Sequence, residues 1–546
     1  MVLSDLIPTH KAEGALSRLP ALNEKNNIVF ERRQRSISVL IDAHDPSRCI
    51  TLQRARSLVQ AFAAGLLDHG LTANGTVCLH MFNDIMYPIF FLGIVGAGGR
   101  FTGSNPAYTA TELSHILNTS NSEILITRKA QLEVAKEAAA MSGLPLQNIL
   151  IFDPDTEQSC IDGFVTVAHL LTSTPISLPE FNDKEKSTTT IVSLMSTSGT
   201  TGLPKMAARS HSNWVSENQA ITDIVRKPYE VRRLLCIPFF HAFAAPLALV
   251  DALRSGHTTY VMRRFDEAFF FKLVMHHCIT ETAIAPPLII RFLNMAETAR
   301  DRLRSLRLVW CAGAPLPICT HNEALRTLFA PGTRINQVWG MTEGGWMSTF
   351  HHPETDATGS VGRLIAGFEA QIVNSKGKNV VGPGATGELW VRGPGIMLGY
   401  YENAQATKDT ITRDGWLKTG DIGSICNGKV YLIGRSKDLI KVRGWQVAPA
   451  ELEGTLLSHS DICDAAVLGV EVEHASEIPR AYVVRKLGSS ITADEVKAHL
   501  LKYLARYKVA DCQVRFRDSI PKSSTGKTLR KSLAEEIHKE QRLQKV

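Results

Sequence analysis

Ser196-Thr197-Ser198-Gly199-Thr200-Thr201-Gly202-Leu203-Pro204-Lys205 follows directly on a strand-like run, Thr190-Ile191-Val192-Ser193-Leu194-Met195. Five hydroxyl side chains and two glycines fall in seven residues, closed by a proline and a lysine. Glycines let the backbone approach a ligand closely. Successive N–H groups in such a turn form a concave anion site, and the hydroxyls add donors. The pattern points to polyphosphate binding, with Lys205 supplying a charge. A solvated Ser/Gly linker is the alternative, but linkers rarely follow directly on a buried-type strand. The spacing is not that of the Gly-x-x-x-x-Gly-Lys-Ser/Thr loop, because two residues separate Gly202 from Lys205. A second candidate, Gly526-Lys527-Thr528, has Pro521 where the first glycine of that loop should stand.

The 546 residues allow about three or four domains. A net charge of +7 is small for this length, and no long run of one sign occurs, so no nucleic-acid partner is indicated. The ten cysteines show no Cys-x-x-Cys, which argues against zinc and leaves mostly reduced core thiols as the expectation. Met1-Val2-Leu3-Ser4-Asp5 lacks a signal pattern, and the apolar run Tyr87 to Gly98 is too short for a membrane span. Gln544-Lys545-Val546 is not the Ser-Lys-Leu peroxisomal address, so the expected location is cytoplasmic.

Residues 1 to about 50 read as an irregular lead-in. Thr51 to Leu67 has helical apolar spacing. Thr76 to Met81 reads as a strand, Tyr87 to Val95 as a buried helix, Thr111 to Leu117 as a helix and Ile124 to Ile126 as a strand. Farther on, Arg307 to Cys311 is strand-like and Ile318 to Phe329 helical. This alternation implies a mostly parallel sheet with helices on both faces. From Gly359 to Asn403 the runs turn short and β-rich, and from about Ser436 a small, Lys-rich α+β region begins. The expected division is 1–435, with a β-rich part at about 359–435, and 436–546.

The phosphate-type loop resembles that of the adenylate-forming (AMP-binding) superfamily, and so does the order of pieces after about residue 50. Gly98-Gly99 and Asn105-Pro106-Ala107-Tyr108-Thr109 before Glu112-Leu113 are similar to acyl- and aryl-CoA synthetases of the 4-coumarate:CoA ligase type. That resemblance implies an α/β fold: a large N-terminal domain of two layered αβαβα-type subdomains plus a β subdomain, followed by a small mobile α+β C-terminal domain. It implies three ligands besides the carboxylic acid: ATP, Mg²⁺ and coenzyme A. ATP would meet Thr197, Ser198, Gly199, Thr200, Thr201, Gly202 and Lys205.

Trp339-Gly340-Met341-Thr342-Glu343 matches the family's adenine-and-magnesium motif, with Glu343 as the metal carboxylate and Gln337 where the family contacts the base. Thr419-Gly420-Asp421 matches the ribose-binding Asp. The twenty residues from Gly434 to Glu453 agree with a family motif nearly throughout. In it Arg435 would touch the ribose or α-phosphate, Lys437 marks the hinge, and Lys441, Gly444 and Trp445 line the pantetheine tunnel. Gly526-Lys527 matches the adenylation lysine, a flexible point charge able to reach the reacting carboxylate. His241, in Pro238-Phe239-Phe240-His241-Ala242-Phe243, would be a gate or wall beside the thiol entrance, or a general base. The pairs His276-His277 and His351-His352 read as structural or surface residues.

The implied reaction is carboxylate attack on the α-phosphate, giving acyl-AMP and pyrophosphate, then thiolysis by CoA with release of AMP. Amino-acid activation is disfavoured, because His241-Ala242-Phe243-Ala244-Ala245 lacks the acid that would hold an ammonium. Transfer to a carrier protein or an amine, and a non-enzymatic nucleotide-binding scaffold, are the other readings. A monomer or homodimer is expected. By resemblance the acid pocket is lined by Phe243, Ala312, Gly313, Val338, Trp346 and Met347. Hydroxycinnamate ligases commonly have glycine at the position of Val338 and proline at that of Trp346. The added bulk argues against a hydroxycinnamate, and the absence of charge argues for an apolar aryl, aryl-alkyl or medium-chain acid.

Overall fold

The computed structural model describes residues 38–178, 183–197, 204–223, 225–374, 376–380, 382, 384–442, 445–472, 475–523 and 528–544. Three seven-stranded sheets and a smaller C-terminal sheet carry the architecture.

In one of them, Arg334–Gln337, Leu308–Cys311, Glu281–Ile284, Arg232–Leu235, Thr258–Val261 and Ser38–Asp42 lie side by side in parallel. Cys49–Thr51 closes that sheet as an antiparallel edge. The lead-in is therefore not irregular throughout, since Ser38–Asp42 is a sheet strand. Its partner, Thr258–Val261, is far away in sequence, so no local pattern announces the pairing.

The other α/β sheet runs Gly399–Tyr400, Met206–Ser210, Ile191–Ser196, Arg100–Gly103, Thr76–His80, Ser122–Thr127 and Ile149–Ile151. Its centre is parallel and its Met206 end antiparallel. Thr76–His80 is buried along its whole length, as a strand covered on both faces must be. Helix Tyr87–Gly96 is likewise buried at every residue, with Pro88 in its first turn where the missing N–H costs nothing. Helix Ala110–Thr119 is opened by a reciprocal Thr109–Glu112 capping box. One apolar cluster, including Phe62, Phe90, Phe91, Trp214, Leu235 and Val261, joins the two α/β layers.

The third sheet is antiparallel: Trp339–Met341, Gly345–Thr349, Arg363–Leu364, Lys429–Arg435, Leu417–Cys426, Gly387–Arg392 and Glu369–Val373. It starts at Trp339, so the adenine-type motif lies on its first strand. The C-terminal region places Ile462–Val472, Ala475–Arg485 and Gln513–Arg517 in one sheet, flanked by helices Pro449–Leu457 and Ala493–Tyr503 over a separate core. Among the described residues no helix is long and apolar enough to cross a membrane.

All ten cysteines are free. The expectation of core thiols is corrected in part: Cys78, Cys236, Cys311 and Cys512 are buried, but Cys49, Cys160, Cys278, Cys319 and Cys426 are exposed. The exposed five lie at strand ends, turns and outward helix positions, where a small side chain is tolerated without burial.

His80 ends a central strand, fully buried, with Nδ1 2.8 Å from Ser104 Oγ. Burial lowers its pKa from 6.5 to about 4. The unfolded chain therefore binds a proton that the folded chain refuses between those values, so stability held above pH 6.5 is lost as the pH falls towards 4. The loss from this residue is up to about 3 kcal/mol. Denaturant unfolding across pH 7 to 4 should show it, with a shallower slope for His80→Gln; equal slopes would refute the assignment.

Candidate active site

The antiparallel strands Ile191–Ser196 and Met206–Ser210 deliver the two ends of the Ser/Thr/Gly loop to one place. Thr197 N–H donates to the Lys205 carbonyl at 2.8 Å, and Lys205 N–H donates to Thr197 Oγ1 at 3.3 Å. This pair of hydrogen bonds closes the loop's neck. Ser198, Gly199, Thr200, Thr201 and Gly202 lie outside the described residues. His115 Nε2 braces the exit, 2.9 Å from the Pro204 carbonyl.

Beyond the neck, Lys205 Nζ stands 4.9 Å from the centre of the Tyr400 ring. Tyr400 sits on the edge strand beside Met206–Ser210, and its hydroxyl donates to Glu343 Oε1 at 2.6 Å. Burial, then the Glu343 charge, pushes the phenol well above its ordinary pKa, so it stays a donor. Glu343 is buried, and its carbonyl accepts from Met397 N–H at 2.8 Å. Lysine, phenol and carboxylate thus form one line from the loop exit to the motif on the third sheet.

Asp421 organises the opposite side. Trp339 Nε1–H donates to its Oδ2 at 2.8 Å, and Arg435 Nε lies 2.8 Å from its Oδ1. Trp339 is buried in the third-sheet core, so its position is set by that carboxylate and by packing. Gly340 must be glycine: a Cβ there would lie 2.5 Å from the Gly345 carbonyl, across the hairpin. Gly340 itself is exposed and Thr342 half-buried. Gln337 ends a parallel strand, and its Oε1 accepts from Leu316 N–H at 3.0 Å, fixing the turn after Ala312-Gly313.

That turn borders a narrow cavity of about 10 Å³, lined by Ile237, Pro238, His241, Phe243, Ala244, Ala285, Ala312 and Gly313. Phe243, Ala312 and Gly313 are therefore together, with His241 at the same wall. Trp346 backs Phe243: the rings are 5.7 Å apart at 29°, and Trp346 Nε1–H donates to the Phe243 carbonyl at 3.1 Å. Val338 packs in the same apolar cluster as Trp346. Met347 does not reach the cavity. The next residue along the strand, it faces the other way and joins the third-sheet core with Trp339. His241 Nδ1 accepts the Phe243 N–H at 3.2 Å, so the neutral ring carries its proton on Nε2.

Lys437 lies on the exposed turn after Arg435, with Ser436 N–H donating to the Gly420 carbonyl at 2.8 Å. Lys441 and Trp445 lie on the hairpin Ile440–Val442/Trp445–Val447. Trp445 is 61% exposed, its ring centre 5.2 Å from that of Tyr507, and it is not among the residues that line the cavity. Gly444 and Lys527 lie outside the described residues. The C-terminal region touches the N-terminal part of the chain at Gly454, which packs on Pro317 and whose carbonyl is 3.9 Å from Cys319 Sγ. No group of three or more metal-ligating side chains occurs among the described residues.

Tyr400, Ile237 and Ala285 escaped the reading of the sequence. A two-residue edge strand has no periodicity, and nothing local ties Tyr400 to Glu343, 57 residues earlier.

Residues 30–401 match the model of the AMP-binding enzyme family, and residues 451–527 that of the AMP-binding enzyme C-terminal domain. The chain is 41% identical over 517 residues to the phenylacetyl-CoA ligase epaB of Aspergillus niger, covering 92% of this chain and 95% of that protein. It is 34% identical over 521 residues to the nicotinic acid-CoA ligase olcI of Penicillium canescens, covering 90% and 93%. In fold it is similar to ATP-bound MatB from Rhodopseudomonas palustris, with a TM-score of 0.81 at 23% identity over 98% of this chain and 99% of that one. The benzoate CoA ligase of Burkholderia xenovorans superposes with a TM-score of 0.79 at 22% identity, over 93% and 99%. The chain belongs to the adenylate-forming AMP-binding enzymes and is an ATP-dependent, AMP-forming acid–CoA ligase.

Proposed function

We propose that the acid is a single-ring aryl or arylacetic acid, activated as its adenylate and passed to CoA. The observation that carries this reading is the cavity. Its lining is apolar apart from His241 and carries no carboxylate, lysine or arginine side chain. The one donor of its backing tryptophan is already given to the Phe243 carbonyl. A polar or charged tail would lose its water hydrogen bonds without replacement. The 41% relative named for phenylacetyl-CoA supports the same class.

In this reading the acid's carboxylate faces the nucleotide side, reached from Ala312-Gly313 through Gln337 to Trp339. The loop at 197–205 holds the β- and γ-phosphates, and Asp421, set in place by Trp339 and Arg435, accepts from the ribose hydroxyls. Lys527 brings a positive charge to the attacking carboxylate and the α-phosphate, where negative charge develops. Mg²⁺ fits the donor set: a hard carboxylate, Glu343, oriented by a permanent phenol donor and standing beside the phosphate loop. Bound there, it would neutralise phosphate charge as pyrophosphate leaves. His241, protonated on Nε2 when neutral, acts as a wall and donor at the thiol's approach rather than as its base. The free cysteines support a reducing compartment, the cytosol.

Pyrophosphate release with MgATP and a panel of acids tests the class. Phenylacetate and benzoate should outrun hydroxycinnamates and dicarboxylates, and Lys527→Ala should lower the rate on the order of 10²–10³-fold. Preference for a charged or long-chain acid would overturn the reading.

Tyr400→Phe removes the donor that orients Glu343. The Mg²⁺ concentration for half-maximal rate should rise on the order of tenfold, with the rate at saturating Mg²⁺ near that of wild type. An unchanged Mg²⁺ dependence would show that Glu343 needs no such partner.

A further inference from the structure

We propose that Glu217 is a positioning residue for acid selection: paired with Arg209 in the core, it holds the backbone of Trp346 and so sets where the acid pocket ends. This rests on the reading of the cavity as the acid site.

Arg209 lies on Met206–Ser210, the strand leaving the phosphate loop, and Glu217 on the following helix, His211–Ala220. Both side chains are 1% exposed, with Nη1 and Oε2 2.9 Å apart. The other carboxylate oxygen, Oε1, accepts the Trp346 N–H at 2.7 Å. Each oxygen of Glu217 thus serves a different sheet. Arg209 Nη2 also donates to the Gly395 carbonyl at 3.4 Å, and its guanidinium stands 5.2 Å from the Trp214 ring.

The backbone preceding the tryptophan is pressed onto this pair. Gly345 has φ +65°, and a Cβ there would lie 2.5 Å from Glu217 Oε1 and 2.9 Å from Arg209 Nη2. The strand therefore enters at one height only, set by the carboxylate. From that point Trp346 stacks on Phe243 and donates to its carbonyl, which fixes the segment carrying His241. The same helix holds the neighbouring loop, with Asn213 Nδ2 donating to the Pro394 carbonyl at 2.7 Å. A buried ion pair is a poor device for stability alone, because apolar residues of equal volume serve as well or better. Here the charge is placed where a backbone N–H must be caught at a defined distance.

The test uses the whole enzyme. Glu217→Gln keeps an acceptor but not the charge. Peptide-resolved amide hydrogen exchange should quicken over residues 343–349. Pyrophosphate release is then measured with benzoic, phenylacetic and 3-phenylpropanoic acids. The kcat/KM ratio between best and worst acid should flatten about tenfold, the worth of one charge-assisted hydrogen bond. KM for ATP should stay within about twofold. Trp346→Ala should flatten the same ratio, and the double variant should flatten it no further than Trp346→Ala alone. Additive effects, a parallel rise in KM for ATP, or unchanged selectivity would overturn the proposal, as would unchanged exchange over 343–349. Should Glu217→Gln not fold, Glu217→Asp, which withdraws the carboxylate by one methylene, is read the same way. If the wild type turns over none of the three acids, the apolar-acid reading fails, while the exchange measurement still decides the role of Glu217.

Discussion

The pairing of Arg209 with Glu217 ties two of the three large sheets together. Its members come from the α/β sheet that carries the phosphate loop, and its hydrogen bond reaches the β sheet that carries the adenine-type motif. Removing one partner of such a pair costs about 3–5 kcal/mol, because the other charge is left uncompensated in the core. The structure therefore tolerates little drift between the two sheets at this level. The backbone of Trp346 takes its position from it.

Around that tie the site is built at strand ends. Thr197 follows Ile191–Ser196, Ala312 follows Leu308–Cys311, and Gln337 ends its own strand. Carboxyl ends of parallel strands are where open α/β sheets gather ligands, since the connecting turns can vary without disturbing the layers beneath. The third sheet contributes differently. Asp421 and Arg435 face each other across adjacent antiparallel strands, so their distance is fixed by ladder register rather than by loop conformation. Arg435 is also the last residue before the exposed turn at Lys437, which puts the edge of the nucleotide site next to the passage into the C-terminal region.

Much of the fold was legible in the chain because its signals are local. Tyr87–Gly96 is apolar on every side, Ala110–Thr119 announces its start with Thr109 and Glu112, and Leu52–Asp68 keeps helical spacing throughout. What escaped is non-local. Ser38–Asp42 becomes a strand only because Thr258–Val261 lies beside it, and the third sheet begins at Trp339, in a motif read as a ligand contact. In the site, His241, Phe243, Ala312 and Gly313 were named from motif resemblance and line one cavity. Ile237 and Ala285 on the same wall carry no chemical signature. Glu217 looks like any surface acid in a polar stretch, and only the fold brings it to Trp346, 129 residues on. Met347 was named beside Trp346, but alternation along a strand sends neighbours to opposite faces.

The bond from the Trp346 indole to the Phe243 carbonyl has a consequence for how such an enzyme diversifies. A smaller residue at 346 does more than lengthen the pocket, because it strips a partner from the backbone two residues beyond His241. If the proposed acid and thiol sites hold, a lineage that changes its acid by trimming this wall also loosens the segment proposed to face the thiol. New substrates and a well-ordered second half-reaction are therefore not independent traits here. The easier first steps are exchanges that keep a ring N–H or another donor at 346, or that work from Ile237 and Ala285 instead.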